Sequence, residues 1–295
     1  MGAGAKLAMR LHGRQALVTG GTRGLGLEIA RLFWSEGANL IVVARDAREL
    51  DRLREALQPQ AAAGQVLDVL SADLSNDSGL RSVIEQMKRR GGVEVLVNNA
   101  AIQGPIGKLW ECDWQAWETA VKLDLLVPVQ LCQAAVPAML RRKKGSIINL
   151  SGGGATGPRE NFSAYASAKT ALVRFTETLA AEVKSHGIRV NAVAPGAMNT
   201  SMMRETVSAG PERAGADYQH ALQTMEKDSG ATARRAAELC LFLATDESAG
   251  ITGRLLSAVW DPWQRLAEHI REIEGSDIYT LRRIVPKDRG QEWAK

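Results

Sequence analysis

Cysteine and histidine are scarce in this sequence, and neither residue type is clustered. The three cysteines, Cys112, Cys132 and Cys240, lie far apart without a CxxC pair, and the four histidines form no HExxH motif. An odd number of distant cysteines argues against a disulfide framework and against a zinc knot, and scattered histidines are not typical of a metal site. We therefore expect no bound metal.

Long hydrophobic runs and a strong charge bias are also missing. No apolar run approaches the roughly 20 residues of a membrane-spanning helix, and residues 1–14 lack the continuous apolar core of a secretion signal. The net charge is only +4, and basic residues alternate with acidic ones except at residues 141–144, a run typical of a solvated helix end. We expect a cytoplasmic protein that binds neither a membrane nor nucleic acid.

Short β-branched runs alternate with longer helical stretches from residue 15 to residue 260. This alternation is typical of βα units that build a parallel sheet, and near-continuous apolar runs suit strands covered on both faces. The predicted fold class is therefore α/β, a single doubly wound parallel sheet of the Rossmann type with about seven strands. The predicted strands are 15–19, 39–44, 65–72, 93–98, 146–150, 189–194 and 255–260.

Helical stretches fall between these strands, and right-handed crossovers would place them on both faces of the sheet. The predicted helices are 24–36, 48–58, 75–89, 113–142 with bends at Pro128 and Pro137, 164–186 and 231–244.

The chain is expected to form one domain, residues 1–260. Its cofactor half covers about 13–150 and its catalytic and substrate half about 151–260. Residues 198–228 are polar and rich in Met, Ser and Gly, and we predict a mobile insertion there. Residues 261–295 form a C-terminal extension.

A glycine-rich turn, LVTGGTRGLG, follows the first predicted strand and opens the first predicted helix. Its glycines permit a tight turn and a close backbone approach, so that amide groups and the positive helix end face a pyrophosphate. Glycines also serve plain chain reversals, but the strand before and the helix after favour a dinucleotide loop. The residues assigned to this loop are Gly20, Thr22, Arg23, Gly24, Leu25 and Gly26.

The spacing Gly20-x-x-x-Gly24-x-Gly26 resembles that of the short-chain dehydrogenase/reductase family, and the resemblance continues through several motifs from about residue 13 to residue 260. It implies a nicotinamide cofactor, hydride transfer to or from a carbonyl or alcohol carbon, and a homodimer or homotetramer. Three further motifs match: Ala-Asp-Leu-Ser beside the adenine, NNAA in place of the family's NNAG turn, and PGxxxT beside the nicotinamide. The cofactor contacts that these motifs imply are Asp73, Leu74, Asn98, Asn99, Ala100, Pro195, Gly196 and Thr200. The aspartate of the first motif could instead serve only to cap the helix that follows.

The charge at the end of the second strand bears on the choice of cofactor. An NAD enzyme of this kind usually carries an acidic residue there, which holds the ribose hydroxyls and repels a 2′-phosphate. This sequence has Ala44 followed by Arg45, and Arg23 adds a second cation from the glycine loop. Guanidinium groups suit phosphate oxygens. We predict NADP(H) in preference to NAD(H), although either arginine could be an ordinary surface residue.

Tyr165 and Lys169 form a YxxxK pair after the fifth strand. At i and i+4 both side chains lie on one face of a helix, so that the ammonium can approach the phenol. A neighbouring cation lowers the pKa of a tyrosine, and the pair can then act as acid for a carbonyl oxygen or as base for an alcohol. The resemblance implies that Lys169 also bonds the nicotinamide ribose, so both residues count among the cofactor contacts.

Two positions depart from the family pattern. Gly152 stands where the family has its serine, thirteen residues before the tyrosine, and Ser151 is the best candidate to replace that serine, ahead of Ser163. Asp124 stands where the family has an asparagine that holds a water in the proton relay. An aspartate can still bind water, but its charge would alter the energetics beside Lys169.

Five tryptophans raise the question of what they cover. Trp110, Trp114 and Trp117 fall at i, i+4 and i+7, which is one face if the helix begins early enough, and such a stripe is more often core or subunit contact than substrate cage. The family resemblance implies that this helix packs against its counterpart in a neighbouring subunit, so we favour a subunit interface. Trp260 and Trp263 could line the substrate cleft or pack an extended tail across a subunit, and the sequence leaves both alternatives open.

The sequence thus predicts an NADP(H)-dependent oxidoreductase of the ketoreductase kind, acting on a small-molecule carbonyl or secondary alcohol. An NAD(P)-dependent alcohol or sugar dehydrogenase is the alternative within the class. A non-catalytic NADP(H)-binding regulator or scaffold is the alternative outside it, because two catalytic positions depart from the family. The segment 198–228 falls where the family has its substrate lid, and such loops often set specificity.

Overall fold

The computed structural model describes residues 9–291 and 293. Within them the chain forms one sheet in which all seven strands are parallel, in the order β3-β2-β1-β4-β5-β6-β7. The predicted Rossmann-type class is confirmed. The strands are β1 Gln15–Thr19, β2 Asn39–Ala44, β3 Leu67–Ser71, β4 Val95–Asn98, β5 Gly145–Leu150, β6 Ile188–Ala194 and β7 Leu255–Ser257.

Helices cover both faces of the sheet. The helices are α1 Gly24–Ser35, α2 Ala47–Leu57, α3 Asp77–Arg89, α4 Trp114–Val121, α5 Val127–Arg142, α6 Ser163–Val183, α7 Ser201–Ser208, α8 Gly210–Ala214, α9 Ala216–Lys227, α10 Ala231–Ala244 and α11 Ile270–Glu274. Side chains alternate along each strand, so that Val18 and Val42 join the apolar cluster under α1, α2 and α10, whereas Leu17 and Ile41 join the cluster under α3, α5 and α6.

The strand order reverses between β1 and β4, and this reversal opens a crevice at the carboxyl edge of the sheet. The two loops that leave β1 and β4 are tied together there. The Asn99 backbone amide donates to Thr19 Oγ1 at 2.9 Å, and Asn99 Nδ2 donates to the Thr19 carbonyl at 2.8 Å. The crevice is therefore held at a fixed width beside the glycine loop.

The predicted long helix 113–142 is interrupted by a π turn, Lys122–Leu126, which joins α4 to α5. Proline lacks an amide hydrogen and its ring crowds the carbonyl four residues earlier. Pro128 therefore cannot bond to Asp124, and the Val127 amide instead bonds to the Lys122 carbonyl five residues back. The irregularity thus precedes Pro128, and α5 continues through Pro137. The stretch Trp114–Arg142 is long and apolar enough to cross a membrane by length and composition, and half of its most apolar window is buried in the fold.

Residues 198–228, predicted as a mobile insertion, contain three helices, α7 to α9. These helices bury few residues: Thr206, Ala214 and Ala221 are buried, and the neighbouring residues are mostly exposed or half-buried. The sequence did not predict these helices, because the segment is polar and lacks a clear apolar periodicity. We call α7 to α9 the lid.

The C-terminal extension packs along the outer edge of β7. The buried Arg254 guanidinium donates to the carbonyls of Ile273, Ser276 and Ile278 at 2.5, 2.9 and 2.6 Å. Trp263 is buried, whereas Trp260 is 85% exposed because the chain turns away after a strand shorter than predicted. Trp263 packs within its own chain against Phe242 of α10, with ring centres 5.8 Å apart, and does not line the crevice beside the glycine loop. Packing of the tail across a subunit stays a prediction.

Arg254→Met should weaken this attachment. The substitution removes charged hydrogen bonds and leaves three carbonyls without their donor, which costs about 2–4 kcal/mol of unfolding free energy. Urea unfolding of the variant measures the loss, with the exposed Arg265→Met as control. Equal unfolding midpoints for Arg254→Met and the wild type would mean that the extension adds nothing to stability.

Candidate active site

The glycine loop is built so that no side chain fills it. A Cβ on Gly26 would lie 2.1 Å from the Gly20 carbonyl oxygen, and Gly24 adopts a φ of 47°, which favours glycine. Helix α1 begins at Gly24, so its free backbone amides and positive end face the crevice. The loop can therefore hold a pyrophosphate against backbone.

A cavity of about 570 Å³ extends from this loop to the end of β2 and to Tyr165. It is large enough for an extended nucleotide ligand. Of the residues assigned from sequence, the cavity lining contains Gly20, Thr22, Arg23, Gly24, Leu25, Gly26, Arg45, Asp73, Leu74, Asn99, Ala100, Ser151, Tyr165, Lys169, Pro195 and Thr200.

Three predicted residues do not line the cavity. Asn98 is buried and donates to Asn149 Oδ1 at 2.8 Å, so it links β4 to β5 beneath the cavity. Gly196 packs against Val259, two residues after the end of β7, because a Cβ there would lie 2.6 Å from Val259 Cγ2. Asp124 lies behind Lys169. Direct cofactor contact by Asn98 and Gly196 is therefore not supported by their placement.

The sequence reasoning missed several lining residues. They include Asp46, Glu49, Ile102, Leu123, Met198, Asn199, Ser201, Met202 and Arg204. Most of these lie in residues 198–204, just before and within the start of the lid, or in residues 46–49 at the start of α2.

Arg23 and Arg45, the two predicted phosphate-binding cations, differ in their surroundings. Arg23 Nε lies 2.6 and 2.7 Å from the two carboxylate oxygens of Glu49, which also accepts from Thr22 Oγ1 at 2.9 Å. Arg45 makes no ion pair with any residue that the structure describes. Arg23 is thus already paired with a carboxylate, whereas Arg45 is the more available of the two predicted cations.

Asp73 lines the cavity and also holds its own loop. Its Oδ1 accepts from the Ser75 amide at 2.9 Å and from Ser75 Oγ at 2.7 Å. The Ser75 hydroxyl thereby lowers the pKa of Asp73, and the positive charge of Arg45 acts in the same direction. Asp73 therefore lines the cavity and closes the turn before α3, but it does not cap that helix, whose N-cap is Asn76 and has no side-chain cap bond.

Helix α6 places Tyr165 and Lys169 one turn apart at the inner end of the cavity. Lys169 Nζ lies 5.5 Å from the centre of the Tyr165 ring and donates to the Leu150 carbonyl at 3.1 Å. Both side chains are buried. Burial, and after it the negative charge of Asp124, raises the pKa of Tyr165 well above its ordinary value, while Arg159 acts in the opposite direction. The phenol form is therefore favoured in this geometry.

Ser151 and Gly152 lie at the end of β5, facing Tyr165. The Ser151 hydroxyl is buried, lines the cavity and has no hydrogen-bond partner among the described residues. A Cβ on Gly152 would lie 2.1 Å from Tyr165 Oη, so glycine lets the phenol pack directly against backbone. Ser163, the poorer candidate, accepts a hydrogen bond from Trp117 Nε1 at 3.1 Å and lies outside the cavity lining.

Asp124 is fully buried within the π turn. Its Oδ1 accepts from the Ile102 amide at 2.9 Å, and its Oδ2 lies 3.5 Å from Lys169 Nζ. Burial raises the pKa of Asp124 to about 6, although the positive charge of Lys169 lowers it. The carboxyl therefore titrates closer to neutral pH than an ordinary aspartate.

The predicted tryptophan stripe is only partly present. Trp110 lies in a separate turn before α4 and is 80% exposed. Trp114 and Trp117 share α4 and stack with ring centres 5.2 Å apart. A single stripe of three is therefore wrong, because the helix begins at Trp114. The subunit interface stays a prediction.

Known proteins are similar to this chain in sequence and in architecture. The family model for short chain dehydrogenases matches residues 14–210. The chain is 31% identical over 251 residues to the 3-oxoacyl-[acyl-carrier-protein] reductase FabG of Thermotoga maritima, covering 84% of this chain and 97% of the relative. It is 32% identical over 250 residues to a 3beta-hydroxysteroid dehydrogenase of Eggerthella lenta, covering 83% and 92%.

A solved structure gives the same result. L-sorbose reductase from Gluconobacter frateurii, crystallised with NADPH and L-sorbose, superposes with a TM-score of 0.73 at 28% identity, covering 85% of this chain and 97% of that one. The chain belongs to the short-chain dehydrogenase/reductase family, an oxidoreductase family that contains both reductases and dehydrogenases and binds NAD(P).

Restoring the family's serine at position 152 should impair this site. Gly152→Ser places a side chain where Tyr165 Oη lies, and relieving that overlap displaces the phenol, which we expect to lower kcat/KM about tenfold or more. Steady-state carbonyl reduction measures the effect. Gly153→Ser is the matched control, because a Cβ there makes only ordinary contact with Arg159 at 3.7 Å. Activity of Gly152→Ser at or above the wild-type level would contradict the packing argument.

Proposed function

We propose that this protein is an NADP(H)-dependent oxidoreductase that reduces the carbonyl group of a small molecule to a secondary alcohol. The observation that carries the proposal is the buried Tyr165–Lys169 pair at the inner end of the cavity that begins at the glycine loop. The cavity fits a dinucleotide, because the glycine loop leaves backbone where a Cβ would intrude. Gly20, Gly24, Asn99 and Thr200 would hold it.

The chain's own residues supply the proton chemistry. When bound, the nicotinamide supplies or accepts the hydride. Tyr165 Oη donates a proton to the substrate oxygen, and its raised pKa keeps it protonated for this task. The Ser151 hydroxyl, which has no partner among the described residues, holds the same oxygen. Lys169 places a positive charge near the phenolate that remains after transfer.

The preference for NADP(H) is supported by Arg45. Its guanidinium lines the cavity directly after β2, where a 2′-phosphate would reach, and no carboxylate among the described residues pairs with it. Arg23 would have to leave Glu49 to take part. The related L-sorbose reductase was crystallised with NADPH.

Two further proposals complete the function. The reverse oxidation of an alcohol or sugar uses the same groups, and the dehydrogenase relative in Eggerthella lenta supports it as the second candidate. We also propose a cytoplasmic homodimer or homotetramer.

Cofactor binding tests the proposal. Fluorescence titration with NADPH and NADH should show tighter binding of NADPH, and Arg45→Asp should weaken NADPH binding about tenfold or more while leaving NADH nearly unchanged. Arg23→Gln is the matched control, and we expect a smaller loss from it because Arg23 is already paired with Glu49. Failure to bind either cofactor would refute the proposal. Binding of both without turnover on a carbonyl panel would favour the regulator alternative.

A further inference from the structure

Asp124 is the one position near Tyr165 at which this chain introduces a buried charge that the family's asparagine does not carry. We propose that Asp124 is a positioning residue that opposes the charge of Lys169 and so holds Tyr165 as the neutral phenol, which biases the site toward carbonyl reduction. This inference rests on the proposed function, because it concerns the same acid–base pair.

The geometry separates the two oxygens of the carboxyl group. Oδ1 is fixed by the Ile102 amide at 2.9 Å, whereas Oδ2 faces Lys169 Nζ at 3.5 Å and has no hydrogen-bond partner among the described residues. An asparagine in the same rotamer would keep the bond from Ile102 through its own Oδ1. The carboxylate therefore adds a negative charge that pairs with Lys169 through Oδ2, whereas the bond from the Ile102 amide does not depend on that charge.

Burial makes that charge effective. The Asp124 side chain is 0% exposed and the Lys169 side chain 3% exposed. Charges in such surroundings are screened much less by water and salt than surface charges are. Lys169 would otherwise favour the phenolate of Tyr165, and the Asp124 carboxylate cancels part of that influence.

Among the described residues, few other charged groups face this pair. From α6 come Tyr165 and Lys169, from β5 the Leu150 carbonyl, and from the loop after β4 the Ile102 amide. Arg159, in the loop before α6, lies 5.5 Å from the centre of the Tyr165 ring and favours the phenolate. Its charge is paired with Asp217 of the lid at 2.5 Å, which weakens its effect on the phenol.

The ionisation of Asp124 determines the direction in which pH affects oxidation and reduction. Because the pKa of Asp124 is raised to about 6, the carboxyl is neutral below that value and ionised above it. Ionised Asp124 raises the pKa of Tyr165. Alcohol oxidation, which needs the phenolate as base, should therefore gain activity only at alkaline pH, whereas reduction persists across neutral pH.

The test compares wild type with Asp124→Asn in both reaction directions across pH, with the exposed Glu118→Gln on α4 as control. We expect Asp124→Asn to move the rise of the oxidation profile to lower pH by about one unit, and to move the fall of the reduction profile the same way. Glu118→Gln should move neither. A profile for Asp124→Asn that is unshifted, or shifted to higher pH, overturns the proposal.

A second readout needs no turnover. The chain contains three tyrosines, so ¹³C labelling of the tyrosine rings gives few signals, and Tyr165→Phe assigns the one of interest. In the resting protein we expect Tyr165 to ionise at lower pH in Asp124→Asn than in wild type. Equal ionisation in both proteins overturns the proposal. A shifted ionisation in a protein that turns over no carbonyl would uphold the charge effect and refute the proposed function instead.

Discussion

The loops that follow β1 and β4 have to diverge, because they lead to helices on opposite faces of the sheet, α1 on one face and α5 on the other. The crevice that results is the place where both halves of the site meet. Thr19 and Asn99 hold its two sides together by hydrogen bonds, so that the glycine loop and the loop after β4 keep a fixed separation. A change in the width of the nucleotide cavity at this point would break the hydrogen bonds between Thr19 and Asn99.

The end of the crevice that holds Tyr165 and Lys169 lowers the stability of the fold, because charged groups are buried there. Two ionisable side chains, Asp124 and Lys169, are buried side by side, and removing charges from water is offset only when they are paired and hydrogen-bonded. Lys169 has the Leu150 carbonyl and the Asp124 carboxylate, and Asp124 has the Ile102 amide. The same burial that costs stability raises the pKa of Tyr165 and makes it suited to proton donation. Burial of these side chains thus both suits Tyr165 to proton donation and lowers the stability of the folded protein.

Local pattern was enough for the sheet and for most of the cavity lining. The bounds of β1, β2 and α10 agree with those expected from apolar runs and glycine turns. The lid helices were missed because few of their residues are buried. The π turn depends on an amide that Pro128 lacks, and sequence reasoning placed the bend at the proline itself rather than before it.

Other features could not be predicted because they join residues that are distant in the chain. Glu49 neutralises Arg23 from helix α2, and Asp217 reaches Arg159 from the lid. The contact between Gly152 and Tyr165 depends on how β5 and α6 pack, and the motif spacing alone marked the glycine only as a missing serine. Charge pairing and close packing of this kind are tertiary properties.

Transfer of deuterium from NADPH labelled at C4 to a carbonyl substrate tests the central claim most directly. Mass spectrometry of the alcohol formed with each of the two C4-labelled stereoisomers should show the label arriving at the carbinol carbon from one isomer only, and Tyr165→Phe should abolish product formation. Product that carries no label from either isomer, or full activity in Tyr165→Phe, would contradict hydride transfer at this site.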